Sequence, residues 1–315
     1  MIRIRSGREK PGLRPQHLQA LQACRELSSG ELEGDFVGSR EIFYRPGGTL
    51  LGGIRRWDIG TAGSATMLAF CTLPIGLFAG SASHYTLVGG LFQDHAPTFF
   101  HMRHVLIPSL CRMGAQASLR MVRPGYVPEG KGEMVLDVVP MKETLKAFQA
   151  PISGKVSRMD GIALASHLQA EQVSQRMADR ALKLLGQQGI SATIEPLDDD
   201  GAIQKGAALA IWAETETGCR LGSDRAGKRG RRSEDIAAHV VNTLMEDLKT
   251  GATTDRFLAD QLILFAALAA GRTEYLIPRM TDHIASNLWL VEKMLGVRTK
   301  VEGNLLRIDG MSYHR

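Results

Sequence analysis

Apolar residues recur along this chain at two spacings. Between 257 and 295, FLADQLILFAALAAGRTEYLIPRMTDHIASNLWLVEKML, they return at helical spacing twice: at Phe257, Leu258, Leu262, Phe265 and Leu268, then at Ile284, Leu288, Val291 and Leu295. A short strand-like piece over 273–277 separates the two predicted helices. Upstream, MIRIRS at 1–6 alternates and predicts a strand. Pro15 followed by Leu18, Leu21, Cys24 and Leu27 predicts a helix, and Ile42 and Tyr44 alternate within a strand pair over 34–47. The apolar run 65–79 reads as a buried helix, 84–92 as a strand and 102–114 as a helix. Met134, Leu136 and Val138 mark a further strand. Beyond 150, an amphipathic helix over 166–185, strands over 190–198 and 207–215, a helix over 236–248 and two closing strands within 297–310 complete a mixed α/β pattern.

Composition narrows this picture only a little. The chain has 315 residues, 44% hydrophobic and 23% charged, with a formal charge of +5, the profile of a globular protein with a sizeable core. The mild positive charge permits a polyanionic partner without requiring one. Cys24, Cys71, Cys111 and Cys219 form no CxxC pair, and three sit in apolar runs as small core residues, which suits a reducing cytoplasm. The most apolar stretch is too short to span a bilayer and contains Pro74, so no membrane role is expected.

Candidate chemistry concentrates at a few places. Thr281 and Asp282 read as a helix start, which puts His283 in the first turn, where the positive end of the helix dipole favours a neutral, nucleophilic imidazole. Gly60 to Ser64 form a small-residue turn opening a helix, a geometry able to receive an anion. Arg3, Arg5, Arg8, Lys10 and Arg14 make one basic corner, and Arg225, Lys228, Arg229, Arg231 and Arg232 another, suited to phosphate oxygens. His95, His101 and His104 lack an acidic third ligand and read as surface histidines, and Asp198 to Asp200 read as a solvated loop.

Several strings, in order, resemble the RNA 3'-terminal phosphate cyclase family: IRSGREKPGLRPQHL at 4–18, TAGS at 61–64, GYVPEGKGE at 125–133, AETETGC at 213–219, GSDRAGKRG at 222–230, and LADQL at 258–262 with a later histidine. The resemblance implies repeated ββαβαβ-type units similar to the C-terminal domain of a translation initiation factor. They would form a main domain over 1–150 and 225–315, with a small inserted α/β domain over 151–224. It implies that His283 takes the adenylyl group of ATP and that the product is a 2',3'-cyclic phosphate on an RNA bearing a 3'-phosphate. By family position, Gln16, Phe257, Asp260 and Gln261 meet the nucleotide, with Phe257 stacking on adenine. Arg5, Arg8 and His17 meet phosphate or RNA, and a divalent cation, Mg or Mn, accompanies the nucleotide. Two departures stand out: Phe100 occupies a usually acidic position, and the family's GEGGGQ-x-x-R segment, which supplies a metal-binding glutamate, has no match. The first strand and helix of the main domain are therefore expected to be lacking, leaving an exposed sheet edge and apolar face, and no metal ligand is assigned. Two further readings stay open: a cyclase-like RNA-binding or ribosome-assembly protein without catalysis, and an inactive truncated form.

Overall fold

Which strands become central and which become edges follows from their apolar patterning. The computed structural model describes residues 1–314. Its elements begin with α1 (Pro15–Leu27), β1 (Glu31–Glu33), β2 (Phe43–Arg45), β3 (Gly53–Asp58), α2 (Ala65–Leu77) and β4 (Ser83–Gly89). A helical run follows as α3 (Phe99–His101), a π-helical turn (Met102–Leu106) and α4 (Ile107–Arg112). Next come β5 (Gln116–Arg123), β6 (Gly132–Val139), β7 (Gln149–Ala150), β8 (Val156–Ser166), α5 (Val173–Gly186), β9 (Thr193–Asp199), β10 (Gly206–Thr215) and β11 (Arg220–Ala226). The chain closes with α6 (Ser233–Lys249), α7 (Leu258–Leu268), β12 (Ala270–Leu276), α8 (Asp282–Leu295), β13 (Arg298–Glu302) and β14 (Leu305–Met311).

These elements fall into two compact units. One comprises Met1–Ala96, Gln116–Pro140 and Gly201–Gln204, and the other Pro97–Ala115, Met141–Asp200 and the chain from Lys205 onward. The first unit holds the sheet β3-β4-β6-β5, crossed by α2 between parallel β3 and β4, and the small pair β1-β2. The second holds two sheets, β11-β10-β8-β9 and β13-β14-β12-β7. Each four-stranded sheet combines one parallel pair with two antiparallel pairs, so the fold is mixed α/β. Central β10 is an apolar run buried along nearly its whole length, and central β4 alternates buried and half-buried residues before a buried end; edge strand β13 alternates exposed and half-buried residues. Among the described residues no helix is long and apolar enough to cross a membrane.

Five local expectations need correction. Residues 1–6 form turns rather than a strand. Arg3 and Arg5 adopt φ of 55° and 53°, and Ile4 packs with Leu13 and Ile42, its N–H bonded to Arg40 O and its carbonyl to Gly12 N. Two isoleucines among arginines imitate a strand, but these backbone groups find loop partners instead of a ladder. The strand pair expected over 34–47 is built from β1 and β2, with 36–39 as a turn between them. The helix expected from 166 starts at Val173, because β8 runs to Ser166 as a central strand between β9 and β10. Asp198 and Asp199 end β9 and accept hydrogen bonds from Ser174 and Ser166 at 2.7 and 2.8 Å, so only Asp200 of that acidic run lies beyond the strand. Of the cysteines, Cys219 is buried but Cys111 is exposed.

Candidate active site

The start of α8 forms as the local sequence dictates. Thr281 is the N-cap, its hydroxyl accepting the Ile284 N–H at 3.2 Å, and Gly296 ends the helix in the left-handed region at φ 68°. His283 is the second residue of the helix and its side chain is 86% exposed. Its Nδ1 lies 3.7 Å from Asp260 Oδ2, beyond hydrogen-bond reach but within ion-pair distance. With one ring nitrogen on the carboxylate side, the other is free for chemistry. Asp260 is only 19% exposed, and burial pushes its carboxyl up to about 6, opposed by His283 and reinforced by Asp255.

Asp260 belongs to the first turn of α7, and that turn is held from below. Asp255, fully buried, accepts the backbone N–H groups of Phe257 and Leu258 on Oδ1, each at 2.8 Å. Its Oδ2 accepts the Gly222 N–H at 2.8 Å and pairs with His101 Nε2 at 3.1 Å. Phe257 is 42% exposed and meets the His101 ring edge to face, with centroids 6.0 Å apart. Gln261 is buried, and its Oε1 has no hydrogen-bond partner among the described residues. An unmatched buried acceptor is costly, and a ligand donor would relieve it. Phe257, Asp260, Gln261 and His283 therefore all lie on the packed pair α7 and α8 of the second unit.

The other four candidates lie together at the start of the first unit. The Arg5 guanidinium donates to the carbonyls of Lys10 and Gly12, at 2.9 and 3.3 Å, and so holds the Pro11-Gly12 turn. Arg8 is exposed, its backbone N–H bonded to Arg5 O. His17 Nδ1 accepts the Arg14 N–H at 3.1 Å at the start of α1. Burial first, then the charges of Arg5 and Arg14, lowers the His17 pKa, which leaves a neutral ring with Nε2 as its N–H donor. Gln16 Oε1 accepts the Ser64 N–H at 3.0 Å, tying α1 to the turn that opens α2. That turn, expected to receive an anion, has several donors already engaged: Gly60 N–H goes to Asp58, Gly63 N–H to Thr61 and Ala65 N–H to Gly90 O.

Of the three histidines read as surface residues, His95 is exposed, His104 is half-buried and His101 is enclosed. His101 is 1% exposed, in the buried pair with Asp255. His104 stacks on Trp212 at 4.0 Å and 8°, and burial, then Arg103 and Arg220, pushes it down to about 4. Their polar, basic neighbours Arg103 and Arg112 imitate a surface helix, while the partners that bury them stand more than a hundred residues away. Asp255 and half-buried Asp224, which accepts the Thr98 N–H at 3.1 Å, escaped the sequence reading as well. Asp255 carries a signal, since an aspartate three residues before the first apolar residue of a helix is a capping pattern. Asp224 carries none.

Comparison with known proteins gives one consistent result. A family model described as RNA 3'-terminal phosphate cyclase matches residues 1–301. A protein of Pyrococcus furiosus named RNA 3'-terminal phosphate cyclase is 34% identical over 305 residues, 97% of this chain and 87% of the relative. Proteins of the same name from Thermococcus kodakarensis and Nitrosospira multiformis are each 36% identical, over 96% and 97% of this chain and 86% of the relatives.

Proposed function

Since this chain belongs to the RNA 3'-terminal phosphate cyclase family, we propose that it converts an RNA 3'-terminal phosphate to a 2',3'-cyclic phosphodiester in an ATP-dependent reaction through an adenylyl-histidine. The observation that carries this reading is His283: an accessible imidazole at a helix start, with one nitrogen turned to a half-buried carboxylate 3.7 Å away.

In the first step the free His283 nitrogen attacks the α-phosphorus of ATP. An N–P bond forms, the bond to the bridging oxygen breaks, and pyrophosphate leaves. An oxygen of the RNA 3'-phosphate then attacks the same phosphorus and breaks the N–P bond, giving an RNA–AMP anhydride. The neighbouring 2'-hydroxyl attacks the RNA phosphorus, the ring closes and AMP departs. Activation is needed because an unactivated phosphate oxygen is a poor leaving group. Phe257, half-exposed at the start of α7, offers an aromatic face to adenine, and Gln261 Oε1 offers an unmatched acceptor. Arg5, Arg8 and the His17 Nε2–H are assigned to phosphoryl oxygens, where negative charge gathers. Arg225, Lys228, Arg229, Arg231 and Arg232 suit the RNA backbone. No group of three His, Cys, Asp or Glu side chains among the described residues could hold a metal. No step is therefore routed through a protein-bound ion; a divalent cation, Mg or Mn, would be carried by the phosphates of ATP.

The test is incubation with ATP labelled at the α-phosphate, beside His283→Ala. Acid-labile label on the wild type alone is expected. A folded wild type that takes no label would remove the catalytic reading and leave a non-catalytic RNA-binding protein.

A further inference from the structure

We propose that the exposed face of α8 seats the single-stranded 3' end of the RNA, with a base stacked on the indole of Trp289. The inference rests on the adenylyl-transfer reading above and deepens it, by assigning the surface that holds the strand while its 3'-phosphate reaches His283.

The inner face of α8 is apolar, and its outer face is not the polar one such a helix usually presents. Ile284, Leu288 and Val291 are buried, while on the other side Trp289, Leu290 and Met294 are exposed, Trp289 by 59%. Ala285, Ser286, Asn287, Trp289 and Leu290 line a groove of about 570 Å³. Leu290 follows His283 by about two helical turns and so lies on the same side of α8. At the helical rise, Trp289 stands about 9 Å along the axis from His283. The groove is also joined to the site through Asp260. Asn287 Nδ2 donates to the Asp260 carbonyl at 3.5 Å, and His283 Nδ1 is 3.7 Å from the Asp260 carboxylate.

Three considerations commit this face to RNA. The strand must bring its 3'-phosphate to the phosphorus on His283, and a stacked strand advances about 3.4 Å per nucleotide, so a base among its last few nucleotides reaches Trp289. Adenine does not compete for that ring. Of the aromatic side chains on α7 and α8, Phe265 is buried and Phe257 is assigned to adenine, which leaves the indole. Charge agrees as well: Lys293, one turn beyond Trp289, is exposed and suits a phosphodiester, while the adjoining Glu292 accepts the Thr299 hydroxyl of β13. Every base offers a π face to an indole, so this platform holds a strand without reading its sequence.

The test reads Trp289 directly. The chain has three tryptophans, and Trp57 and Trp212 are 5% and 8% exposed, so quenching of fluorescence by a bound base reports on the third. A short 3'-phosphorylated oligoribonucleotide is titrated, without ATP, into wild type, Trp289→Phe and Trp289→Ala. Wild-type fluorescence is expected to be quenched, and the quenching to vanish in Trp289→Phe. The Kd, read from the anisotropy of an end-labelled strand, should weaken about tenfold in Trp289→Ala and be largely restored in Trp289→Phe. Equal affinity of wild type and a folded Trp289→Ala would overturn the proposal, as would quenching by AMP as strong as by RNA. Sedimentation tests the other occupant: a wild type that pairs and a Trp289→Ala that does not, at equal RNA affinity, would assign the face to a second copy of this chain. Label from ATP on His283, followed in parallel, tests the function reading separately. Wild type without label overturns that reading, while the RNA affinities still decide this one. Should Trp289→Ala not fold, the quenching of wild type against Trp289→Phe decides alone.

Discussion

Two histidines of the second unit sit near apolar helices, and they have opposite fates. His283 is 86% exposed at the start of α8, with a carboxylate at ion-pair distance and no hydrogen bond to it. His101 is 1% exposed beneath α7, hydrogen-bonded to a carboxylate that is itself fully enclosed. In the first case the surroundings leave a nitrogen available, and in the second they use the ring to hold a helix end. The difference teaches that the fold leaves the His283 ring open to solvent while it uses Nε2 of His101 to hold the start of α7. Local sequence distinguishes the two poorly, since both stand among polar and apolar neighbours in similar proportion.

The sharpest way to break this comparison is stability. Asp255→Ala strands the buried His101 and three backbone donors, and is expected to cost about 3–5 kcal/mol in denaturant unfolding. His283→Ala is expected to abolish labelling yet to stay within about 0.5 kcal/mol of wild type, as exposed substitutions do. Equal destabilisation by the two would erase the distinction. A subtler effect is pH dependence. His101 titrates above its ordinary 6.5, so its contribution is complete below that value and is lost as pH rises through the raised one. Asp255 titrates below its ordinary 3.8, so its contribution is present above that value and is lost as pH falls through the depressed one. The stability gap between wild type and His101→Phe should therefore be widest between about pH 4 and 6.5 and should narrow on either side, read from melts across pH. The smallest effect is Thr281→Ala, which removes the cap of α8 and should cost about 1 kcal/mol, with labelling slowed rather than abolished.

Much of the secondary structure was legible because its causes are local. Helical spacing with Pro15 marked α1, Thr281 marked the start of α8, and the strands expected over 84–92 and 207–215 appear as β4 and β10. Residues 1–6 were misread because alternation over six residues says nothing about a ladder partner, and Ile4 instead bonds to Arg40 and Gly12. The helix start placed at 166 failed for a related reason: Ala163 to Ser166 suit either state, and pairing with β10 decided.

The sequence by itself determined the α/β class, the family strings and their order, and the capped helix whose first turn holds His283. Each of these depends on residues within a few positions of one another, where spacing, capping and backbone preference act directly. Only the tertiary structure decided that His101 is buried, that Asp255, 154 residues along the chain, receives it, and that burial pushes the Asp260 carboxyl up to about 6. Burial and charge proximity are properties of groups brought together from distant positions, and no local pattern encodes the low-dielectric space they come to share.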